Sequence, residues 1–90
     1  MSEQVAFLEV KYGKIYQLDV HGLTLEEAKA ELVYTLDSID VDKKAVLVTH
    51  GYHRGTVLRD FIRIDFKHKN IRKIINIDAS RTLLLVNMER

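Results

Sequence analysis

The 90-residue chain contains no cysteine and no proline, and it has only four glycines. Without cysteine, neither a disulfide framework nor a thiolate metal site can form, and we expect a reducing compartment, the cytoplasm. The chain also lacks a run of about 18 apolar residues and a charged-then-apolar leader, so we expect neither a membrane span nor a signal peptide. The absence of proline agrees with regular elements that are joined by short turns.

The composition fits one small domain. Apolar residues make up 47% of the chain, and a chain of this size buries only about 60–65% of its unfolded surface. We therefore expect modest stability, which formation of a homodimer would raise.

The net charge of +1 hides an uneven distribution along the chain. Residues 1–42 carry nine acidic side chains and three lysines, whereas residues 43–73 carry nine Lys or Arg and two acidic side chains. A basic block of this kind is typical of proteins that bind phosphates. It is equally consistent with a solvated surface that the acidic first helix neutralises in space.

Apolar periodicity predicts a two-layer α/β sandwich in the order βαβαββ. The predicted strands cover residues 15–20, 45–49, 71–78 and 82–86, and the predicted helices cover residues 24–38 and 56–67. Helix crossovers should make the first two strands parallel, and the short last connection should make the last two antiparallel. We expect a mixed sheet with both helices on one face. Residues 15–90 form this domain, and residues 1–14 are expected to add a further strand.

The last predicted strand is apolar on both faces, from Thr82 to Val86. A two-layer sheet with one solvated face does not require this. Either the strand is central, or its second face meets the N-terminal segment or another chain. The latter alternative would indicate a protein-interaction or self-assembly domain.

Two junctions share the same order of strand, histidine, glycine and helix. Asp19, His21 and Gly22 follow the first predicted strand, and His50 and Gly51 follow the second. Because parallel strands joined by a helix end at the same edge of a sheet, we expect both histidines on one rim, where open α/β sheets bind ligands. Asp19 precedes His21 by two residues and shares its side of the strand, so it can orient the imidazole.

Three kinds of chemistry fit this rim. Asp19, His21 and His50 can act as catalytic general acid and base on a phosphodiester, which requires no metal or other cofactor. The same side chains with His53 can instead hold a divalent ion, although their spacing matches no recognised zinc pattern. In the third alternative the two junctions bind backbone phosphates and catalyse nothing.

The second junction is surrounded by residues suited to nucleic acid. The predicted binding residues are Gly22, Gly51, Tyr52, His53, Arg54, Gly55, Arg59, Arg63 and Lys67. Tyr52 can stack on an unpaired base, and Arg54 can hold a phosphate together with the N–H groups that open the second helix. Arg59, Arg63 and Lys67 recur every four residues and are expected to form a basic stripe.

Residues 18–24 read Leu-Asp-Val-His-Gly-Leu-Thr, and residues 50–56 read His-Gly-Tyr-His-Arg-Gly-Thr. Over residues 15–88 the chain resembles the Smr (small MutS-related) domain family. That family has a Leu-Asp-Leu-His-Gly motif after its first strand and a His-Gly-x-Gly-x-Gly motif after its second. His53 stands where the second motif has a glycine, and Gly55 comes one residue late, which indicates a variant subgroup. Bulk at His53 is expected to narrow the approach of a scissile phosphate.

The resemblance implies a domain that binds RNA or DNA and an endonuclease that nicks phosphodiesters, with branched DNA or the ribosome as the setting in parts of the family. It also implies a fold similar to the C-terminal domain of translation initiation factor three. The residues that match the family motifs are Asp19, His21, Gly22, His50, Gly51 and, displaced by one position, Gly55. The alternatives are a non-catalytic module that binds RNA, the ribosome or DNA, and a protein-interaction domain.

Overall fold

The structure is a computed structural model that describes residues 3–52 and 55–87, so that the predicted site residues His53 and Arg54 lie outside the described residues. Within these described residues, three helices and four strands follow one another. They are α1 Glu3–Tyr12, β1 Ile15–Asp19, α2 Leu25–Ser38, β2 Ala45–Thr49, α3 Gly55–Asp60, β3 Ile71–Asn76 and β4 Arg81–Val86. A π-helical turn, Phe61–Asp65, directly follows α3. The predicted mixed α/β class is confirmed.

The four strands form one mixed sheet in the order β1-β2-β4-β3. β1 and β2 are parallel, because the 14-residue helix α2 crosses between them, and β3 and β4 are antiparallel, because only a tight turn joins them. β4 inserts between β2 and β3 and runs antiparallel to both. The predicted pairings of the first two and the last two strands are both confirmed.

Helices α2 and α3 pack on one face of the sheet, as predicted. α2 begins at a capping box, in which Thr24 Oγ1 accepts from the Glu27 N–H at 3.2 Å and Glu27 Oε1 accepts from the Thr24 N–H at 2.9 Å. The buried side chains between the helices and the sheet are Val20, Ala28, Leu32, Leu36, Val46, Val48, Leu58, Ile62, Phe66, Leu84 and Val86.

The predicted N-terminal strand is wrong, because Glu3–Tyr12 is a helix. Val5, Leu8 and Tyr12 recur at helical spacing and pack on the sheet face opposite α2 and α3. Burial of this second sheet face outweighs the β-type composition of the segment. The helix ends where the Gly13 N–H donates to the Glu9 carbonyl, with Gly13 at a φ of +96°.

The apolar character of β4 on both faces follows from this arrangement. β4 is a central strand, and Leu83 and Leu85 face the α1 side while Leu84 and Val86 face the α2 side. The second face of β4 therefore meets the N-terminal segment of this chain, which is one of the alternatives that the sequence allows. Within residues 3–52 and 55–87, none of the helices has the length and apolarity needed to cross a membrane.

Candidate nucleic-acid site

The carboxyl ends of β1 and β2 lie side by side, because Asp19 pairs in register with Thr49. His21 and His50 each follow within two residues of a strand end. Gly51 has a φ of +76°, and a Cβ placed on it would lie 3.4 Å from the Cβ of His21. The structure therefore brings the two histidine-glycine junctions into contact on one rim, as expected from the crossover.

A tight turn holds His21 at the entrance to α2. The Leu23 N–H donates to the Val20 carbonyl at 3.1 Å, and Gly22 occupies the third position of this turn with a φ of +81°. A positive φ at that position is the requirement of a type II turn, which glycine meets without strain. His21 is thereby fixed at the second position of the turn, between a buried strand end and the capped helix.

Asp19 and His21 form a hydrogen-bonded pair on the exposed side of this turn. Asp19 Oδ1 accepts from His21 Nδ1 at 2.5 Å and from the His21 backbone N–H at 3.0 Å. Since an ionised carboxylate only accepts, Nδ1 carries the proton and Nε2 lies on the other side of the ring. The His21 side chain is 66% exposed, so this nitrogen is accessible to solvent.

The carboxyl of Asp19 stays ionised through its contacts with His21. Partial burial raises the pKa of Asp19. The hydrogen bonds from the His21 ring and backbone N–H lower it by more than burial raises it, so the pKa lies below its usual value. An ionised carboxylate at Nδ1 fixes the orientation of the ring and keeps the proton of the neutral ring on Nδ1, so that Nε2 is the acceptor.

His50 has a different environment, because its side chain is buried at 1% exposure. Nδ1 donates to the Gly51 carbonyl at 2.9 Å, and Nε2 accepts from the Thr82 hydroxyl at 2.9 Å. Thr82 Oγ1 in turn accepts from Arg63 Nε at 2.7 Å. Because the Gly51 carbonyl can only accept, Nδ1 carries the proton of the neutral ring, and Nε2 of that neutral ring accepts from the Thr82 hydroxyl.

The pKa of His50 is lowered from its usual value. Burial is the main cause, and the nearby guanidinium groups of Arg63 and Arg59 add to it, whereas the hydrogen bond to Gly51 acts in the opposite direction. The neutral ring carries its proton on Nδ1 and accepts at Nε2, which fits the two hydrogen bonds that His50 makes. Both ring nitrogens of His50 are thus engaged within the protein.

Arg63 lies against β4 instead of extending the expected basic stripe outward. Besides Thr82, its guanidinium donates to the carbonyls of Asp78 and Arg81, at 2.6 and 3.0 Å through Nη2. The hydrogen bonds of the π-helical turn span five residues instead of four, and Lys67 lies beyond this turn, so the four-residue spacing no longer marks one face of a regular α-helix. Nη2 of Arg63 thus fixes the turn between β3 and β4, and Nε fixes Thr82, the residue that contacts His50.

The remaining predicted binding residues are spread along α3 and beyond it. Gly55 opens α3, and Arg59 Nε donates to Asp60 Oδ1 at 3.1 Å. Lys67 is exposed and donates to the Ile64 carbonyl at 3.1 Å. Lys67 follows the π-helical turn, so it is separated from the rim by the length of α3 and that turn.

An apolar cleft of about 550 Å³ opens beside the Asp19–His21 pair. Its lining residues are His21, Gly22, Leu23, Thr24, Leu25, His50, Gly51, Tyr52, Val57 and Leu58. Leu25, Tyr52 and Val57 are exposed although they are large and apolar, and all three lie at this cleft. Their gathering at one point indicates a surface for an apolar or aromatic ligand group.

Most of the described residues that we predict at the rim lie together in the structure, whereas two walls of the cleft come from residues outside that prediction. The structure brings together Asp19, His21, Gly22, His50, Gly51 and Tyr52. Leu25 and Val57 were not predicted as site residues, although each lies in the first turn of the helix that follows a histidine-glycine junction. Among the described residues, no three His, Asp or Glu side chains are grouped so as to hold a metal ion.

The fold and the rim define a small mixed α/β domain with two histidine-glycine junctions at the carboxyl edge of its sheet. The family model of the Smr domain matches residues 18–77, which include both junctions and the helix between them. The chain belongs to the Smr domain family, whose members are in general nucleic-acid-binding or nuclease-like modules. No curated protein matches the chain.

Proposed function

We propose that this Smr domain cleaves phosphodiester bonds in RNA or DNA and that His21, oriented by Asp19, is its catalytic base. The observation that carries the proposal is the 2.5 Å hydrogen bond from His21 Nδ1 to Asp19 Oδ1 on an exposed rim. This bond leaves Nε2 as the accessible proton acceptor, beside a cleft in a family of nuclease-like modules.

In this mechanism the nucleic acid binds with a base in the apolar cleft and the adjacent phosphate at His21. Leu25, Tyr52 and Val57 offer the base an exposed apolar surface, and stacking on one aromatic ring contributes about 1–3 kcal/mol per base. Nε2 removes a proton from the nucleophile that attacks the phosphorus. This nucleophile is a water molecule or, in RNA, the neighbouring 2′-hydroxyl. The new P–O bond forms as the bond to the leaving oxygen breaks, and that oxygen takes a proton from water.

His50 supports this reaction by position. Its Nδ1 donates to the Gly51 carbonyl, and Gly51 lies next to His21. The buried His50 ring therefore fixes the backbone that lies beside His21. We therefore assign proton transfer to His21 and treat His50 as a positioning residue.

A cleavage assay with labelled single-stranded RNA, structured RNA, ribosomes, supercoiled plasmid and branched DNA tests the proposal. His21→Ala should lower the rate at least about 100-fold, the usual contribution of a general base, and Asp19→Asn should lower it as well. The structure supplies a matched control, since His68 and Asp37 form a second His–Asp pair at 2.8 Å outside the cleft. Asp37→Asn should leave cleavage of single-stranded RNA unchanged. Full activity of His21→Ala, or no cleavage of any substrate by the wild type, would overturn the proposal.

The second candidate function is nucleic-acid binding without cleavage. The specific observation in its favour is that both ring nitrogens of His50 are occupied, so that of His21 and His50 only His21 has an accessible ring nitrogen. The second junction also departs from the family motif at His53 and Gly55, and we propose that it marks a variant subgroup. This alternative predicts salt-sensitive binding of RNA or DNA that His21→Ala leaves intact, together with an inactive wild type in every cleavage assay.

A further inference from the structure

A second groove, of about 630 Å³, lies at the edge of the sheet formed by β3. Its lining residues are Phe66, Lys67, His68, Lys69, Ile71, Arg72, Lys73 and Ile74. Four of these are cations, and all four are exposed. We call this the β3 groove. It is not part of the rim that carries the two histidine-glycine junctions.

A bulge in β3 helps to place two of the cations. Ile71 pairs with Val86 and Lys73 pairs with Leu85, so Arg72 is an extra residue without a partner in the register. A bulge of this type interrupts the alternation of side chains along the strand. Arg72 and Lys73 are accordingly both exposed, although they are adjacent in sequence.

The four cations of the β3 groove are not paired with acidic side chains in the part of the chain that the structure describes. Among the described residues no carboxylate lines the groove, and the carboxylate paired with a lining residue is that of Asp37, which lies 2.8 Å from His68 Nε2. Within residues 3–52 and 55–87, no ion pair joins Lys67, Lys69, Arg72 or Lys73 to an acidic side chain. Lysine elsewhere on the surface can be paired, as Lys14 is with Asp42 at 3.4 Å. The groove is therefore a concentrated positive surface that is complementary to an anion.

The β3 groove lies far from the catalytic rim. β3 is antiparallel to β4, and β4 is antiparallel to β2, so the first residue of β3 is at the end of the sheet opposite to His50. β3 and β1 are the two edge strands. The groove is separated from the rim by three strand spacings of about 4.8 Å across the sheet and by five residues of about 3.3 Å along the strands. Combined at right angles, these give a distance of about 20 Å.

We propose that the β3 groove binds the phosphate backbone of a double-helical segment that flanks the nucleotide held at the rim. Four cations in one groove suit phosphates, which supply most of the affinity of nucleic-acid complexes. The groove lacks a stacking surface for unpaired bases, because Phe66 is buried and the His68 side chain is only 9% exposed. The separation of about 20 Å corresponds to about six base pairs of a duplex at 3.4 Å each. This inference rests on the proposed function in that one substrate spans both surfaces.

The test is the salt dependence of binding, measured by fluorescence anisotropy with a DNA duplex that carries a single-stranded overhang. Lys69→Gln/Arg72→Gln should reduce the magnitude of the log-log slope by about 1.8, because each neutralised phosphate contributes about 0.9. Lys11→Gln/Lys29→Gln removes the same charge from exposed positions on α1 and α2, and its slope should equal that of the wild type. Binding of the isolated single strand should be the same for both double variants.

Each outcome separates this inference from the proposed function. Duplex binding that depends on Lys69 and Arg72, in a protein that cleaves nothing, supports the groove and removes the nuclease. Cleavage by the wild type together with an unchanged slope for Lys69→Gln/Arg72→Gln overturns the groove and leaves the nuclease standing. If that variant only aggregates more readily while its slope stays unchanged, the cations serve to protect an edge strand, and the inference is again overturned.

Discussion

Thr82 Oγ1 lies 2.9 Å from His50 Nε2, and both side chains are almost completely buried. The same oxygen accepts from Arg63 Nε at 2.7 Å. One hydroxyl thus connects the π-helical turn, the central strand β4 and the second histidine-glycine junction. The series ends at the Gly51 carbonyl. Because Gly51 lies next to His21, these buried hydrogen bonds hold the backbone beside the proposed catalytic base.

The first prediction is that Thr82→Val destabilises the domain by about 1–3 kcal/mol. Valine has nearly the same shape but no hydroxyl, so it leaves the acceptor Nε2 of His50 buried without a donor. Urea denaturation should show the loss as a lower midpoint with an unchanged m-value. Thr49→Val, at a half-buried position on β2, should change the free energy of unfolding by less than about 0.5 kcal/mol. Equal effects of the two substitutions would show that the hydrogen bonds of Thr82 do not contribute measurably to the free energy of unfolding.

The second prediction concerns acidification. Burial lowers the pKa of His50 in the folded protein below the ordinary value of 6.5. Between these two values the unfolded chain binds more protons than the folded one, so the free energy of unfolding decreases as the pH falls below 6.5. The slope is at most about 1.4 kcal/mol per pH unit.

Urea denaturation of the wild type and of His50→Gln across this pH range checks the sign. His50→Gln should be less stable than the wild type at pH 7, since its amide cannot satisfy both partners in the same way. Its stability should nevertheless depend less on pH between 7 and 5. Parallel curves for the two proteins would show that His50 is not the group that titrates.

The position of the rim could be predicted from the sequence because it depends on local rules. Alternation sends Leu18 and Val20 inward and Asp19 and His21 outward, and a helix crossover places the ends of β1 and β2 together. Each of these features depends on a few neighbouring residues and on the general handedness of the chain. The capping box at Thr24 is local in the same sense.

The difference between the two histidines could not be predicted in this way. Each is followed by glycine, and nothing nearby in sequence distinguishes them. What buries His50 is Thr82, which is 32 positions away, together with Arg63 from the π-helical turn. The N-terminal helix was missed for a related reason, since the need to cover Leu83 and Leu85 becomes visible only once β4 is known to be central.

The third prediction compares the two glycines of the junctions. Gly22 and Gly51 both have a positive φ, so alanine at either position costs about 1–2 kcal/mol in backbone strain. A Cβ on Gly22 would meet nothing within 4 Å, whereas a Cβ on Gly51 would lie 3.4 Å from the Cβ of His21. Both Gly22→Ala and Gly51→Ala should therefore lower the denaturation midpoint, and Gly51→Ala should also place a methyl group in van der Waals contact with the Cβ of His21 and so change the surroundings of that side chain.

The effect of each substitution on His21 is measured as the change in the imidazole NMR resonances of His21. The resonances of His68 serve as an internal reference. In Gly51→Ala the His21 resonances should move and the His68 resonances should stay. In Gly22→Ala the His21 resonances should move less. The contact between the junctions would be contradicted if the two variants perturbed His21 equally.

The fourth prediction concerns the turn between β3 and β4. The two oxygens of Asp78 accept from Ser80 N and Oγ, at 2.9 and 3.0 Å, and from Arg81 Nε and Nη2, at 3.1 and 2.6 Å. Partial burial raises the pKa of Asp78, but these hydrogen bonds and the charge of Arg81 outweigh it and lower the pKa from 3.8 to about 2. The ionised carboxylate therefore stabilises the fold above pH 3.8, and this contribution is lost as the pH falls through about 2.

Asp78→Asn should lower the free energy of unfolding at pH 7 by about 1 kcal/mol, since 39% of the side chain is exposed and solvent screens the pair. The gap to the wild type should close as the pH approaches 2, because the wild-type carboxyl is then protonated as well. Asp42→Asn is the matched control, since Asp42 pairs with Lys14 at 3.4 Å with both side chains more than half exposed. Its effect should stay below about 0.5 kcal/mol at every pH. A gap between Asp78→Asn and the wild type that persists unchanged at pH 2 would show that the turn depends on the shape of the side chain and not on its charge.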